Sequence, residues 1–260
     1  MGKEHKRRHG MKAAGIDIGS RTIEFVVLNE EGVIESKQTD SGFDPMAKAN
    51  ALLSGVDYDR IVATGYGRHL LELSLDAPTV TEIKAYAEGA RAFFPEVRTI
   101  LDIGGQDSKA IAVNGAGKVA KFEMNDRCAA GTGKFLEIMA STLGYAIDDL
   151  GREALKADKK IQISNICTVF AESEVTSLLS KGEDRRDIAL GLHWAVVRRA
   201  AGMLKRVSLD GPIMFAGGVA KNLCMQRLLE ESIGKKIIVP QEPQMIGAYG
   251  AALLAKQMKD

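Results

Sequence analysis

Two short polar turns with the same beginning stand 85 residues apart in the chain. The first reads Asp17-Ile18-Gly19-Ser20-Arg21-Thr22, and the second reads Asp102-Ile103-Gly104-Gly105-Gln106-Asp107. Glycine lets backbone N–H groups approach an anion, while neighbouring hydroxyl and carboxylate groups suit phosphate, a hydrated Mg²⁺ and an oriented water molecule. Either turn alone is equally typical of a plain hairpin. Together they favour the site of a hydrolase or kinase.

A third glycine turn follows a later apolar run. It reads Phe215-Ala216-Gly217-Gly218-Val219-Ala220-Lys221-Asn222. Its glycine pair would let a flat base or a ribose lie against the backbone where a helix begins. Three such turns in one chain favour a nucleotide site over three unrelated connections.

The cysteines offer a second kind of chemistry. Cys128 and Cys167 are 39 residues apart, without the close spacing of a zinc finger or a ferredoxin loop. Each stands at or just ahead of a predicted helix start, where the helix dipole favours a thiolate. Two chains related by a twofold axis would supply the four thiolates that a [4Fe-4S] cluster needs. The alternative to ligation is that a cysteine packs in the core as a small apolar side chain. We favour this alternative for Cys224, because leucines flank it at helical spacing.

Alternating strands and helices must position these residues. Apolar runs predict a strand meander after Lys12, then a helix, a strand and an amphipathic helix over residues 81–94. The same order returns after Pro95, which indicates a duplicated lobe. We therefore expect an α/β fold with ligands beyond the strand ends, in a cleft between two lobes. The expected divisions are a flexible leader over 1–10 and lobes over 11–95 and 96–260.

Composition limits the classes of function. The chain has 260 residues, of which 45% are hydrophobic and 27% charged, and its formal net charge is +1. This balance is typical of a globular protein and lacks the basic excess of a nucleic-acid binder. Neither a membrane span nor an export signal is visible, so we expect a cytoplasmic location without membrane or nucleic-acid partners. The pair Arg198-Arg199 is interpreted as a solvated helix face, with partner docking as the alternative.

The glycine turns resemble those of the acetate kinase, sugar kinase, Hsp70 and actin superfamily. Within it, residues 125–136 and 167–175, which contain Cys128 and Cys167, resemble the ATPase activators of 2-hydroxyacyl-CoA dehydratases, a family shared with ATPase subunits of benzoyl-CoA reductases. The resemblance spans residues 11–260. One difference is Ile23-Glu24, where many relatives have Ser-Lys, so no lysine contact to phosphate is expected there.

This resemblance implies two actin-like (ribonuclease H-like) lobes and an ATPase coupled to electron transfer. It implies one [4Fe-4S] cluster per homodimer, ligated by Cys128 and Cys167, together with ATP or ADP and Mg²⁺. A ferredoxin or flavodoxin would donate electrons, and a cluster-containing dehydratase, benzoyl-CoA reductase or double-cubane cluster reductase would accept them. The alternatives are a small-molecule kinase acting on a sugar or carboxylate and, further off, an actin-like or Hsp70-like switch.

The expected site residues are assigned under the same hypothesis. The phosphate contacts are Gly19, Ser20, Arg21, Thr22, Gly104, Gly105 and Gln106. The candidates for Mg²⁺ binding and water positioning are Asp17, Asp102, Asp107 and Gln106. The adenosine contacts are Gly217, Gly218 and Asn222, with Pro240 and Gln244 closing the pocket.

Overall fold

The structure is a computed structural model that describes residues 10–164 and 167–258. The predicted leader, apart from Gly10, lies outside these residues. Contacts divide the chain into two compact units. Unit 1 contains the described residues up to Gly89 and those from Gly247 onward, and unit 2 contains Ala90–Ile246.

The elements alternate along the chain as the sequence predicts. The strands are β1 (Ala13–Ile18), β2 (Thr22–Leu28), β3 (Val33–Asp40), β4 (Arg60–Thr64), β5 (Thr99–Ile103), β6 (Ser108–Val113), β7 (Val119–Asn125), β8 (Ile213–Ala216) and β9 (Ile237–Ile238). The helices are α1 (Pro45–Leu53), α2 (Arg68–Leu75), α3 (Glu82–Phe93), α4 (Gly133–Leu143), α5 (Ile147–Ala154), α6 (Thr168–Ser180), α7 (Arg185–Val207), α8 (Leu223–Ile233) and α9 (Ile246–Gln257). A short 3₁₀ helix, Gly218–Lys221, precedes α8.

Unit 1 is built on a four-stranded sheet in the order β3-β2-β1-β4. Strand β1 pairs antiparallel with β2 and parallel with β4, so that Asp17 lies opposite both Glu24 and Thr64. Gly15 lies where β1 meets α9, and a Cβ there would come within 2.1 Å of the carbonyl oxygen of Ala248. Only glycine permits this close approach, which holds the C-terminal helix against the sheet.

Unit 2 repeats the same plan. Its sheet has the order β7-β6-β5-β8-β9, with β5 antiparallel to β6 and parallel to β8. The long helix α7 is apolar on much of its surface and packs with α4 and α8 in the main hydrophobic core of the unit. The expected α/β architecture and its duplication are confirmed by these two sheets.

Three features differ from the sequence-based expectation. The sequence patterns predict neither α2 nor α5. The last helix groups with unit 1, whereas the predicted second lobe extends from 96 to 260. None of the helices in the described part of the chain is long and apolar enough to cross a membrane.

Candidate functional site

The first polar turn closes the hairpin between β1 and β2. The backbone N–H of Gly19 donates to the carbonyl of Thr22 (3.0 Å), and the Ser41 hydroxyl donates to the carbonyl of Gly19 (2.7 Å). Ser20 and Thr22 are half-buried, while Arg21 is exposed and lies 3.8 Å from Asp40. The turn is thus held from both sides, and its hydroxyls remain accessible.

Asp17, just before this turn, is held in a narrow space. Its side chain is buried, at 5% exposure. A Cβ on Gly65 would lie 2.4 Å from Asp17 Oδ1, and one on Gly247 would lie 2.0 Å from Oδ2. Gly65 also has a φ of +92°, which favours glycine. The carboxylate therefore occupies room that only two glycines leave open.

The second turn has the same backbone closure, since Gly104 N–H donates to the carbonyl of Asp107 (3.0 Å). Lys109, which sequence reasoning missed, lies behind it and is only 2% exposed. Its Nζ is 3.0 Å from Asp102 Oδ2 and 2.5 Å from Asp107 Oδ2. Gln106 is exposed at the tip of the turn. Strand β6 is buried along its whole length, and this burial, which the structure supplies, is what sets Lys109 apart from an ordinary strand lysine.

The third turn contacts the second turn directly. Gly217 has a φ of +82°, and a Cβ there would lie 2.4 Å from Asp102 Oδ1. Its N–H donates to the carbonyl of Pro243 (2.8 Å), and a Cβ on Gly218 would lie 3.5 Å from Gln244 Nε2. Unit 2 thus brings two predicted groups of site residues, those of the second and third turns, together with Gln244. Pro240, in the same segment as Gln244, is buried.

Asn222 is fixed by the protein itself. Its Oδ1 accepts from the N–H of Met225 (3.1 Å) and caps α8, and its Nδ2 lies 2.9 Å from His193 Nε2. Because His193 Nδ1 lies 2.7 Å from the carbonyl of Ala189, Nδ1 carries the hydrogen and Nε2 accepts from Asn222. Burial lowers the pKa of His193 to about 4, so the ring is neutral. The predicted adenosine contact of Asn222 would therefore be additional to its role as a helix cap.

The cysteines divide into two kinds. Cys128 and Cys167 are exposed, and Cys224 is buried. Cys167 is the N-cap residue of α6, as predicted, whereas Cys128 lies in the loop before α4, five positions ahead of the first helical residue. Burial raises the pKa of the Cys224 thiol to about 12, which makes it an unreactive core residue, as the sequence predicts.

Asn125 holds the loop that carries Cys128. Its Nδ2 donates to the carbonyls of Cys128 (2.8 Å) and Ala130 (3.2 Å), while its Oδ1 accepts from Arg199 on α7 (3.2 Å). Arg199 therefore holds the loop through Asn125, whereas the sequence predicts only a solvated position on its helix. A Cβ on Gly131 would lie 2.6 Å from Arg199 Cδ, so the arginine also packs beneath the loop.

The same loop is joined to the second turn by backbone hydrogen bonds. Gly133 N–H donates to the carbonyl of Gly104 (2.9 Å), and Lys134 N–H donates to the carbonyl of Gly105 (2.7 Å). These two N–H groups belong to the first turn of α4, where N–H groups have no acceptor within the helix. The carbonyls of the second turn are their acceptors. The predicted phosphate turn and the predicted metal-binding loop are thus one connected structure.

The two exposed thiols equal half of the ligand number that an iron–sulfur cluster takes. Among the residues that the structure describes, no group of three or more His, Cys, Asp or Glu side chains is placed to hold a metal ion. One chain presents two exposed thiols, and a [4Fe-4S] cluster takes four thiolates. Two copies of this chain would supply that number.

Comparison with known proteins identifies the relatives. The model of the BadF/BadG/BcrA/BcrD ATPase family matches residues 14–255. The (R)-2-hydroxyglutaryl-CoA dehydratase activating ATPase of Acidaminococcus fermentans is 41% identical over 250 residues, which cover 93% of this chain and 95% of that protein. A benzoyl-CoA reductase subunit of Thauera aromatica is 32% identical over 92% of this chain and 91% of its own length.

Solved structures agree with these sequence relatives. The crystal structure of A. fermentans (R)-2-hydroxyglutaryl-CoA dehydratase component A has a TM-score of 0.88 at 39% identity and covers 95% of this chain and 98% of that one. The activator of 2-hydroxyisocaproyl-CoA dehydratase from Clostridium difficile, with bound ADPNP, has a TM-score of 0.86 at 36% identity, with 96% and 99% covered. A glucokinase from Streptomyces griseus, at 14% identity and a TM-score of 0.60, shares the fold alone.

Proposed function

The chain belongs to the BadF/BadG/BcrA/BcrD ATPase family, and we propose that it is an ATP-driven electron donor. It would pass low-potential electrons to a 2-hydroxyacyl-CoA dehydratase or to a related reductase of the benzoyl-CoA or double-cubane type, and a ferredoxin or flavodoxin would reload it. Relatives named as an activating ATPase of a dehydratase and as a subunit of benzoyl-CoA reductase support this class of acceptor.

The observation that carries the proposal is the pair of hydrogen bonds from Gly133 and Lys134 to the carbonyls of Gly104 and Gly105. A change in the second turn that displaced these carbonyls on binding or losing a γ-phosphate would act directly on both bonds. The bonds are 2.9 and 2.7 Å long, so α4 and the Cys128 loop must follow or lose them. Within unit 2, a nucleotide bound by the second turn would therefore act on the Cys128 loop through these two hydrogen bonds.

ATP and Mg²⁺ would be held by the glycine turns. In unit 1, the backbone at Ser20 and the hydroxyls of Ser20 and Thr22 would bind phosphate oxygens. In unit 2, the exposed amide of Gln106 would do so. Exposed Gly218 would lie against the adenosine beside Gln244. A fold shared with an ADPNP-bound activator supports nucleotide binding by these turns.

Cys128 and Cys167 would hold one edge of the cluster, and the same residues of a second copy would hold the other. The bound cluster would supply a one-electron carrier of low potential. Asn125 and Arg199 would keep the Cys128 carbonyl, and so its thiolate, in the position for ligation. Both cysteines are exposed, as are Val169 and Phe170 beside Cys167, so a second copy could reach each thiol.

Cysteine variants test the proposal. Protein purified without oxygen should contain four irons per two chains and should reduce a dehydratase acceptor only with ATP. Cys128→Ser and Cys167→Ser should each reduce iron to background, since each removes two of the four ligands of the dimer, while ADPNP binding stays within about twofold.

Cys224→Ala is the matched control, because it removes a buried thiol away from the exposed pair. It should keep full iron content even if it lowers stability. Full iron in both serine variants would refute the assignment, as would ATP-dependent reduction of the acceptor by an iron-free protein.

A further inference from the structure

The second turn contains a group of three charges, two of them buried, that the proposed function leaves unexplained. Lys109 Nζ lies 3.0 Å from Asp102 Oδ2 and 2.5 Å from Asp107 Oδ2. The side chains of Lys109 and Asp102 are 2% and 1% exposed, while that of Asp107 is 24% exposed. Burying a lysine is expensive unless its charge is paired, so this arrangement requires an explanation.

The corresponding turn in unit 1 closes without such a group of charges, so folding of the turn does not require it. In unit 1 the residue opposite Asp17 is Glu24, and in unit 2 the residue opposite Asp102 is Lys109. Thr22 stands where the second turn has Asp107. Both turns nevertheless close with the same hydrogen bond, from Gly19 to Thr22 and from Gly104 to Asp107, at 3.0 Å. The lysine and the second aspartate are thus particular to unit 2.

Geometry separates the two aspartates of this turn. Asp102 is enclosed, with Oδ2 on Lys109 and Oδ1 against Gly217, where a Cβ would lie at 2.4 Å. Asp107 is partly open to solvent, and its Oδ1 folds back over Gly104, where a Cβ would lie at 2.6 Å. Only Asp107 has both a fixed position and access to a ligand bound by the turn.

From this geometry, and resting on the proposed ATPase function, we propose that Asp107 is the catalytic residue that orients the attacking water and that Lys109 is the residue that positions it. Asp107 accepts a hydrogen bond from the water. The water oxygen bonds to the γ-phosphorus as the bond to the β,γ-bridging oxygen breaks. ADP leaves with that electron pair, and both hydrogens of the water end on the released dihydrogen phosphate. Asp102 holds Lys109 and does not touch the reacting atoms.

ATP hydrolysis by the holoprotein tests this assignment. Asp107→Asn should lower kcat about 100-fold, with KM for ATP and the Mg²⁺ requirement within about threefold of wild type. Asp102→Asn combined with Lys109→Met removes a buried pair together, which protects folding, and should lower kcat at least ~10-fold with ADPNP binding retained. Lys156→Met removes an exposed ion pair to Glu153 in the same unit and should leave kcat unchanged.

Several results would overturn the assignment. One is an Asp107→Asn protein that keeps more than half of the wild-type kcat, and another is a tenfold rise in its Mg²⁺ requirement, which would make Asp107 a metal contact. A larger loss of kcat in Asp102→Asn alone than in Asp107→Asn would reverse the two roles. If the double variant fails to fold, Asp107→Asn decides alone. Wild-type protein that hydrolyses ATP but binds no iron would refute the proposed function while leaving this test intact.

Discussion

Removing the Asn125 side chain should release the Cys128 loop without disturbing the nucleotide turns. Asn125→Ala eliminates two donated hydrogen bonds to loop carbonyls, at 2.8 and 3.2 Å, and the acceptor for Arg199. A hydrogen bond of this kind contributes about 1 kcal/mol net, so the ordered loop loses about 2 kcal/mol. Since 1.4 kcal/mol corresponds to a factor of ten, the ligating loop conformation becomes about 30-fold less favoured.

The assay is the rate at which iron passes from the oxygen-free protein to a coloured chelator. Asn125→Ala should lose iron about 30 times faster than wild type, with unchanged ADPNP binding. Asn125→Asp should lose it at least as fast, because it replaces the Nδ2 donor with an oxygen that faces the carbonyls of Cys128 and Ala130.

Asn114→Ala is the matched control. Asn114 accepts from the N–H groups of Ala116 and Lys118 (3.0 Å each) and orders another loop of the same unit. It should cost comparable stability and leave iron loss at the wild-type rate. Equal rates in wild type and Asn125→Ala, or equally fast loss in Asn114→Ala, would refute the claim that this asparagine positions the ligand loop.

Three further predictions concern stability. The pKa of His193 in the folded protein, about 4, lies below the ordinary value of 6.5. The contribution of the neutral ring to the free energy of unfolding is therefore complete above pH 6.5 and falls by about 3 kcal/mol as the pH drops towards 4. Urea unfolding at pH 7 and 4.5 measures this loss, and His193→Gln should reduce it. Gly217→Ala should destabilise by more than about 1 kcal/mol, because φ is positive and its Cβ would strike Asp102. In Gly218→Ala the added Cβ meets only Gln244, at 3.5 Å, so the free energy of unfolding in urea should stay within about 0.5 kcal/mol of the wild-type value.

The fold was largely predictable because its central strands are mainly apolar runs. Strands β1 and β5 are buried along their whole length, and each leads into the same turn, which revealed the duplication. Helix α2 escaped prediction because Leu73 and Leu75 are exposed and blur its apolar face. Helix α5 is short, and half of its residues are charged. Nothing local in the last helix indicates that it packs with unit 1.

Sequence reasoning could propose candidate site residues only where a short stretch of sequence suggests their chemistry. The glycine turns and Cys167 at a helix start are visible in short stretches of sequence. Lys109 and Asn125 are not, because their roles depend on partners brought together by folding. The bond from Arg199 to Asn125 joins residues 74 positions apart, and Lys109 resembles any exposed strand residue until its burial is known. Buried or capping polar groups are thus where the structure adds most.

Native mass spectrometry of the oxygen-free protein tests the central claim most directly. The claim that two chains share one cluster predicts a dimer whose mass exceeds two polypeptides by four irons and four sulfides, and which falls to cluster-free chains once the iron is chelated. Cluster-bearing single chains would contradict it, as would a dimer that carries no iron yet still delivers electrons when ATP is added.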